Sequence, residues 1–219
     1  IDNVYLGKAV TSIGRRAFAN CGKLKTITIP DKMSVYTEYN HNYYSDSDDE
    51  YSFYGTPITT VIVPESAKSI PANFYDKTSI EAFKATDTDG YGYFDDDGIL
   101  YYKDLYYETQ TLVKCPQSKK LTGTYTVEEG TDKIGTRAFY NKDLVNSIIL
   151  PDGLTKIESY AFYDCDLLKT ISVPDTTTSI GESAFQGCDW IDNVYLGKAV
   201  TSIGRRAFAN CGKLKTITI

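Results

Sequence analysis

Apolar residues recur in pairs at alternate positions along much of this chain. Most pairs enclose one polar residue, and this period of two is typical of a short strand with one buried face. The clearest pairs are Ile27/Ile29, Ile148/Leu150, Ile171/Val173, Val194/Leu196 and Ile217/Ile219, with Val4/Leu6 and Tyr125/Val127 in the same series. Val61/Val63 and Ile80/Ala82 resemble two further strands, so the pattern predicts about nine short parallel strands.

A second pattern, Ile-x-x-x-Ala-Phe, recurs between these pairs. It occurs at Ile13/Phe18, Ile134/Phe139, Ile157/Phe162, Ile180/Phe185 and Ile203/Phe208, and the last four are 23 residues apart. One such unit cannot bury its own apolar side, but stacked units can share a continuous core. Parallel pairing is permitted because each connection includes a crossover of a dozen or more residues. We expect the Ala-Phe step to form a short helical or 3₁₀ turn.

The chain begins and ends with the same 29 residues, Ile1–Ile29 and Ile191–Ile219. Such self-similarity indicates a repeat architecture. Two readings remain open: a tandem array with a longer period, or a local duplication or choice of chain boundaries. Both ends fall inside repeat units without the polar capping units that arrays require, so we expect a fragment of a longer protein. Unpaired strand edges at both ends predict end-to-end association.

The unit L-x-x-I-x-I-P-x-x-x-x-x-I-x-x-x-A-F-x-x-C resembles the BspA-like, or Treponema-type, leucine-rich repeat. The copy that matches this pattern best has Leu168, Ile171, Val173, Pro174, Ile180, Ala184, Phe185 and Cys188 at the named positions. The middle of the chain is similar to the irregular hairpin segment of such arrays, at Phe83–Ala85, Asp97–Tyr101, Thr111–Val113 and Cys115-Pro116. The departures are Lys142 for Cys, Gly197 for the strand-ending Pro, and the unmatched stretch Tyr36–Tyr54.

This resemblance implies an α/β solenoid, a right-handed leucine-rich-repeat coil with a short parallel sheet on one face. Short helical or 3₁₀ turns would lie opposite that sheet, and a β-hairpin would be inserted in the middle. We expect a single domain over residues 1–219. Its regular repeats would span 1–31 and 125–219, and its irregular repeats, with Tyr- and Asp-rich insertions, 32–124.

Charge and composition narrow the possible partners. The net charge of −6 and pI near 4.9 argue against binding of nucleic acid or of an anionic membrane surface. No apolar stretch approaches the length of a spanning helix, so we expect no membrane insertion of this segment. Nothing in the composition calls for a cofactor.

Four cysteines share one register of the repeat: Cys21, Cys165, Cys188 and Cys211. Stacking would align them in a structural ladder, and a buried thiol that donates weakly to a backbone carbonyl is the simplest role. Disulfides between adjacent coils remain geometrically conceivable. A metal site is disfavoured because there is no C-x-x-C pair and the single histidine, His41, is far from every Cys in sequence.

Catalytic and calcium-binding patterns are weak. His41 lies between polar and aromatic residues in a predicted loop, so the sequence indicates no Ser-His-Asp or Cys-His enzyme. The acidic residues in Asp87–Gly92 and Asp95–Gly98 resemble a calcium-binding loop. The EF-hand pattern does not fit, because with Gly92 at its sixth position the twelfth position is Gly98 instead of Glu. Asp97-Gly98 fits a hairpin turn better. Asp46–Glu50 is expected to be a solvated acidic loop, with weak calcium binding as the alternative.

Two candidate binding surfaces remain. Of 19 tyrosines, 13 lie between Tyr36 and Tyr107, and tyrosine is enriched at recognition surfaces. The candidates in the insertion are Tyr36, Tyr39, Tyr43, Tyr44 and Tyr51, whose rings could instead cover the seam of irregular coils. The other candidate is the outward column of the sheet: Tyr5, Thr28, Ile62, Glu81, Ile149, Ser172 and Tyr195.

The resemblance implies a non-enzymatic recognition module of an extracellular, cell-surface protein, bacterial or from a protist. Its partner would be a host or extracellular-matrix protein. The alternative is a carbohydrate-binding or scaffold module of a secreted multidomain protein, with tyrosines stacking on sugars. A fold does not specify function, so both remain hypotheses.

Overall fold

The computed structural model describes residues 2–14, 16–30, 53–63, 79–85, 92–94, 98–104, 106–116, 119, 121–142 and 145–218. Within these residues the strands are β1 Asn3–Val4, β2 Thr26–Thr28, β3 Thr60–Val63, β4 Ala82–Ala85, β5 Gly92–Phe94, β6 Leu100–Asp104, β7 Thr109–Lys114, β8 Gly123–Thr126, β9 Thr131–Ile134, β10 Val145–Ile149, β11 Lys156–Ile157, β12 Thr170–Ser172, β13 Ser179–Ile180, β14 Asn193–Tyr195, β15 Ser202–Ile203 and β16 Thr216–Thr218. The chain forms two compact units, residues 1–100 with 116–119 and residues 101–115 with 120–219.

The first unit contains a parallel sheet in the order β1-β2-β3-β4. Ile27 pairs with Val61, which pairs with Phe83, and these three side chains are buried in one row. The predicted strand at Ile80/Ala82 is therefore wrong in register, because β4 begins at Ala82 and directs Phe83 inward. The ring of Phe83 buries far more apolar surface than Ala82 could, while Lys84 remains exposed to water.

The second unit is a β-solenoid with two parallel sheets. One has the strand order β16-β14-β12-β10-β8, and the other runs β15-β13-β11-β9-β7. The alternating apolar pairs predicted the first sheet. The second passes through the isoleucines of the four Ile-x-x-x-Ala-Phe patterns in this unit, Ile134, Ile157, Ile180 and Ile203, and through Leu112 of β7. Three strands of this second sheet, β11, β13 and β15, have only two residues each, too few for a period of two to be visible in the sequence.

The Ala-Phe turns are not helical. No helix is present in the described residues, so the helical or 3₁₀ turns and the α/β class are wrong for this part of the chain. Each turn has two left-handed residues four positions apart, as at Arg137 and Asn141, with φ of 57° and 56°. Left-handed residues interrupt a right-handed helix. None of the described residues belongs to a helix of the length and hydropathy needed to span a membrane.

Hydrogen bonds between coils help to explain why these turns do not form helices. The N–H of Phe139 donates to the Ala161 carbonyl at 2.7 Å, that of Phe162 to Ala184 at 2.7 Å, and that of Phe185 to Ala207 at 2.8 Å. Alternate backbone donors of each turn are thus satisfied by the next coil, while the N–H groups between them, such as those of Ala138 and Tyr140, donate within the turn. The turn acts as a third ladder that ties neighbouring coils together.

Aromatic rings stack through the core in step with the coils. In the second unit the centroids of Phe139, Phe162, Phe185 and Phe208 lie 5.1, 5.0 and 5.2 Å apart, and successive rings are within 8° of parallel. These separations fall in the range of favourable aromatic pairs. In the first unit Phe18 stacks on Phe53 at 5.3 Å and 9°. Sequence reasoning missed Phe53, although Phe53-x-x-Thr56 repeats the spacing of Phe18-x-x-Cys21.

The irregular middle of the chain contributes a hairpin to the second unit. β6 and β7 are neighbours in one sheet and are joined by four residues, a connection too short for parallel strands. The buried Tyr101 of β6 places its hydroxyl 2.7 Å from the hydroxyl of Tyr125 in β8. This pairing satisfies both buried phenols and ties the hairpin to the first regular coil.

Candidate functional site

Three thiols of the second unit lie in one column. Cys165 donates to the carbonyl of Phe139 at 3.1 Å, Cys188 to that of Phe162 at 3.1 Å, and Cys211 to that of Phe185 at 3.2 Å. Each thiol therefore bonds the turn of the preceding coil. All five cysteines of the chain are free in this structure. The column is a repeated structural contact between coils.

The first unit contains a similar contact between coils, made by a different residue. Thr56 donates its hydroxyl to the carbonyl of Phe18 and accepts from the N–H of Cys21 at 3.2 Å. Thr56 thus stands where the next Cys of the ladder would be, while Cys21 itself is half-buried. In the second unit, the amine of the buried Lys114 donates to the Arg137 carbonyl at 2.9 Å, again joining adjacent coils.

The thiols are poorly suited to nucleophilic or metal chemistry. A hydrogen bond with the Cys165 thiol, together with burial, raises the pKa of Cys188 well above its ordinary value. Burial raises the pKa of Cys211 to about 11. The thiolate is the reactive and metal-binding form, so these groups are protonated at neutral pH. Among the described residues, no group of three or more His, Cys, Asp or Glu is arranged to hold a metal ion.

The outward face of the first sheet in the second unit is the main exposed surface that the repeat builds. Two columns of side chains alternate with the buried row. One consists of Thr124, Ser147, Thr170, Asn193 and Thr216, and the other of Thr126, Ile149, Ser172, Tyr195 and Thr218. Most of these residues carry hydroxyls. Of the two columns, the sequence reasoning named only Ile149, Ser172 and Tyr195. Thr126 and Thr218 lie inside the predicted pairs Tyr125/Val127 and Ile217/Ile219, and the positions two residues upstream give the other column.

Two apolar side chains interrupt this hydroxyl-rich face. Ile149 is 52% exposed and Tyr195 is 51% exposed, although both types are more often buried. They lie on β10 and β14, on either side of Ser172 in β12. Strands are about 4.8 Å apart, so the two side chains stand about 10 Å from each other. The small Ser172 between them leaves a shallow notch, which we call the Ile149–Tyr195 notch.

The predicted column of the first unit is only partly as expected. Thr28 pairs with Ile62, which pairs with Lys84. Glu81 precedes β4 and is exposed, so the column position assigned to Glu81 is wrong and belongs to Lys84; the cause is the inward placement of Phe83. Tyr5 directly follows β1 and is 89% exposed. The insertion candidates Tyr36, Tyr39, Tyr43, Tyr44 and Tyr51, like His41, lie outside the described residues.

Other aromatic rings at the surface have one face covered by a neighbouring side chain. Tyr140 and Tyr163 stack at 5.0 Å and 5°, and the guanidinium of Arg137 lies over the Tyr140 ring at 5.2 Å. The amine of Lys213 lies 2.9 Å from the centroid of the Trp190 ring. Tyr140/Tyr163 and Trp190/Lys213 are each separated by 23 residues, so these contacts follow the repeat and join adjacent coils.

Comparison with known proteins agrees with this architecture. The model of the BspA type leucine rich repeat region matches residues 1–89 and 114–219, in six copies. No curated protein matches the chain. A leucine rich cell surface protein from Faecalibacterium prausnitzii A2-165 is similar in structure, with a TM-score of 0.60 and 24% identity, over 93% of this chain and 62% of that one.

Two further solved structures have the same fold. A leucine-rich repeat protein from Eubacterium ventriosum ATCC 27560 has a TM-score of 0.60 and 17% identity, over 100% of this chain and 73% of that one. The pneumococcal vaccine antigen PcpA has a TM-score of 0.52 and 17% identity, over 89% of this chain and 56% of that one. The chain thus spans less than two thirds of the Faecalibacterium and pneumococcal structures.

Proposed function

This chain belongs to the BspA type leucine-rich-repeat family, and on that premise we propose that it is a non-enzymatic recognition module. Its partner is a protein outside the cell, such as a host or extracellular-matrix protein, and its setting is the cell surface. The description of the Faecalibacterium protein as a cell surface protein supports that setting. The coarser inference, a protein-interaction or adhesion type of module, is what the family suggests.

The observation that carries the proposal is the Ile149–Tyr195 notch. Its two half-exposed apolar side chains flank a serine on a sheet face that otherwise presents hydroxyls. An apolar side chain of a partner that enters the notch contacts Ile149 and Tyr195, and the hydroxyls around it supply hydrogen bonds at the rim. Apolar and aromatic anchors inside a polar rim are the usual anatomy of a protein interface.

A protein ligand is favoured over a sugar by the state of the aromatic rings. Sugar stacking needs a free ring face, and the rings of Tyr140 and Tyr163 cover each other while Lys213 lies over Trp190. Tyr106 and Tyr107 are exposed but meet edge to face at 4.7 Å, so they do not form a flat platform. These rings therefore give the carbohydrate-binding alternative no platform, and within the described surface a sugar would have to stack on an exposed ring such as Tyr5 or Tyr195.

The test is binding of the 219-residue chain to a panel of purified extracellular-matrix proteins and to a glycan array. We expect saturable binding to at least one protein and no glycan signal. Ser172→Trp fills the notch without touching the core, and we expect it to weaken protein binding by about tenfold or more, the effect of an interface residue worth about 1.4 kcal/mol.

The chain offers a matched control for the anchor. Tyr195 and Tyr5 occupy the same place in identical 29-residue strings, so Tyr195→Ser should reduce binding while Tyr5→Ser should not. An equal loss of binding in both variants would indicate that the binding site lies on a surface that the two strings share. Binding to glycans alone, unaffected by Ser172→Trp, would instead support the carbohydrate alternative.

A further inference from the structure

A row of acidic side chains lies beside the Ile149–Tyr195 notch. Glu129, Asp152 and Asp175 share one register of the repeat and are exposed in the turns that follow β8, β10 and β12. The Thr176 hydroxyl donates to the Asp152 carbonyl, so these turns stack in step with the strands. We call the three carboxylates the acidic stripe. Each comes three residues after the outward column that forms the notch, so each Cα lies within about 10 Å of that column.

Two members of the acidic stripe have charges that the surrounding surface does not balance. Among the described residues, neither Glu129 nor Asp152 forms an ion pair. Asp175 differs, because its carboxylate accepts from the N–H of Lys198 at 3.1 Å and lies 3.8 Å from the Lys198 amine. Lys198 occupies the next position of the same register, so this pair shows how the row receives a lysine. The uncompensated negative charge therefore lies on the Ile149 side of the notch.

We propose that the partner segment bound at the notch is basic, an inference that rests on the proposed function and names the chemistry of its ligand. The segment is extended and runs along the strands. It places an apolar side chain between Ile149 and Tyr195, and a lysine or arginine two or three residues further on beside Asp152 and Glu129. An extended chain advances about 3.3 Å per residue, so this spacing matches the separation of the notch from the acidic stripe.

The notch and the acidic stripe have different roles in this recognition. Burial of the apolar anchor supplies affinity, because it removes apolar surface from water. Exposed charges at the rim of an interface contribute more to the association rate and to the choice of partner than to affinity. The net charge of −6 also attracts a cationic segment and repels an acidic one. The stripe therefore selects among segments that carry a suitable anchor.

Three fluorescein-labelled peptides test this selection. They are GTWTKKTG and the two versions in which glutamate or serine replaces both lysines, so that only the charge beside the tryptophan anchor changes. Fluorescence anisotropy with the 219-residue chain at low salt measures their affinities. We expect the lysine peptide to bind about three- to thirtyfold more tightly than the serine peptide, the effect of two exposed ion pairs, and the glutamate peptide to bind most weakly. The difference should vanish in about 1 M salt, where the screening length is about 3 Å.

Matched charge reversals locate the effect. Asp152→Lys should reverse the preference, so that the glutamate peptide binds more tightly than the lysine peptide, and Asp152→Asn should only reduce the preference. Asp166→Lys is the control, because it makes the same change of net charge at an exposed residue in the loop before β12, at the other end of the strands. We expect it to keep the preference for lysine. Equal effects of Asp152→Lys and Asp166→Lys would show that net charge alone attracts the peptide, and the proposal would be overturned.

The notch-filling variant separates this inference from the proposed function. Ser172→Trp should weaken the lysine peptide, and unchanged binding would mean that the lysines act without the anchor, which rejects the proposal. If Ser172→Trp weakens all three peptides equally and they bind the unaltered chain equally, the notch remains a recognition site and only the basic partner is rejected. Failure of the lysine peptide to bind at its solubility limit also rejects the basic partner, while the panel of matrix proteins still decides the proposed function.

Discussion

The two identical strings, Ile1–Ile29 and Ile191–Ile219, occupy opposite environments. In the N-terminal string the side that faces the following coil is buried, with Ile27 only 1% exposed. In the C-terminal string it is the side facing the preceding coil that is packed. Its β14 pairs with β12 and its β15 with β13, whereas the equivalent Ser12–Ile13 is not in a strand.

This difference teaches that the repeat sequence specifies surfaces for two neighbours but not which of them is engaged. A strand forms where a neighbouring backbone supplies donors and acceptors, as β13 does for β15. The same isoleucine is core in one string and half-exposed in the other because burial depends on the adjacent coil. Substitutions at matched positions can therefore separate the two sides of one coil.

The largest loss of stability is expected from substitutions on the side of the string that faces the following coil. Ile27→Ala should lower the free energy of unfolding by about 2–5 kcal/mol, because it removes a fully buried side chain. Ile217→Ala should cost about 1 kcal/mol or less, since that side chain is half in water. Urea denaturation of the two variants checks this, and equal losses would contradict the difference in packing.

On the side that faces the preceding coil, we expect the substitution in the C-terminal string to be the more destabilising one. A Cβ on Gly204 would lie 2.4 Å from the Glu182 backbone nitrogen, whereas a Cβ on the equivalent Gly14 meets no described atom within 4 Å. Gly204→Ala should destabilise by about 1–3 kcal/mol through this backbone clash, and Gly14→Ala should stay within about 0.5 kcal/mol. If Gly14→Ala proved the more damaging, the environments assigned to the two strings would be wrong.

The same clash explains Gly197, which stands where the repeat has a proline. A Cβ at this position would lie 2.0 Å from the Pro174 carbonyl oxygen, while the equivalent Gly7 has no described atom within 4 Å of its added Cβ. We expect Gly197→Ala to lower the thermal unfolding midpoint and Gly7→Ala to leave it unchanged. Differential scanning fluorimetry is sufficient, and a common shift in both variants would point to backbone entropy as the cause.

Thr56 tests the link between the N-terminal string and the coil that follows it, Phe53–Val63. Thr56→Val leaves the Phe18 carbonyl and the Cys21 N–H without this hydroxyl, and we expect a loss of about 1–3 kcal/mol. Thr56→Ser is the control, because it keeps the hydroxyl and should retain most of the stability. Equal unfolding midpoints for Thr56→Val and the unaltered chain would show that the hydroxyl is dispensable.

The smallest expected effect is a pH dependence at Cys211. Burial raises the pKa of this thiol from 9.0 to about 11, so the folded chain keeps its proton when the unfolded chain has begun to lose it. Stability from this group is complete below pH 9 and is lost as the pH rises towards 11. Cys211→Ala should make the decline in stability over this window shallower; an identical slope would exclude the contribution.

Much of the fold could be read from particular residues. The alternating pairs, such as Ile171/Val173, located the strands of one sheet, and the hairpin of β6 and β7 lay where its resemblance indicated. The second sheet and the non-helical turns could not be foreseen. The N–H of Phe162 bonds Ala184 in another coil, and no local pattern reveals a hydrogen bond to a residue 22 positions away.

The sequence predicted residue types of the candidate surface, but it did not predict the register that places them side by side. Ile149, Ser172 and Tyr195 were named from alternation alone, yet their arrangement as a notch depends on the parallel order of β10, β12 and β14. Glu81 failed because two registers fit the residues Ile80–Lys84, and only the packing of Phe83 against Val61 selects one.

The sequence by itself determined the repeat, its buried rows and the column of thiols, because these depend on residue type at a fixed spacing. Tertiary structure alone decided where a second sheet forms and which column faces outward. The physical reason is that burial and backbone pairing are supplied by the neighbouring coil. The described residues of two identical strings, such as Ile27 and Ile217, therefore have two different environments in one chain.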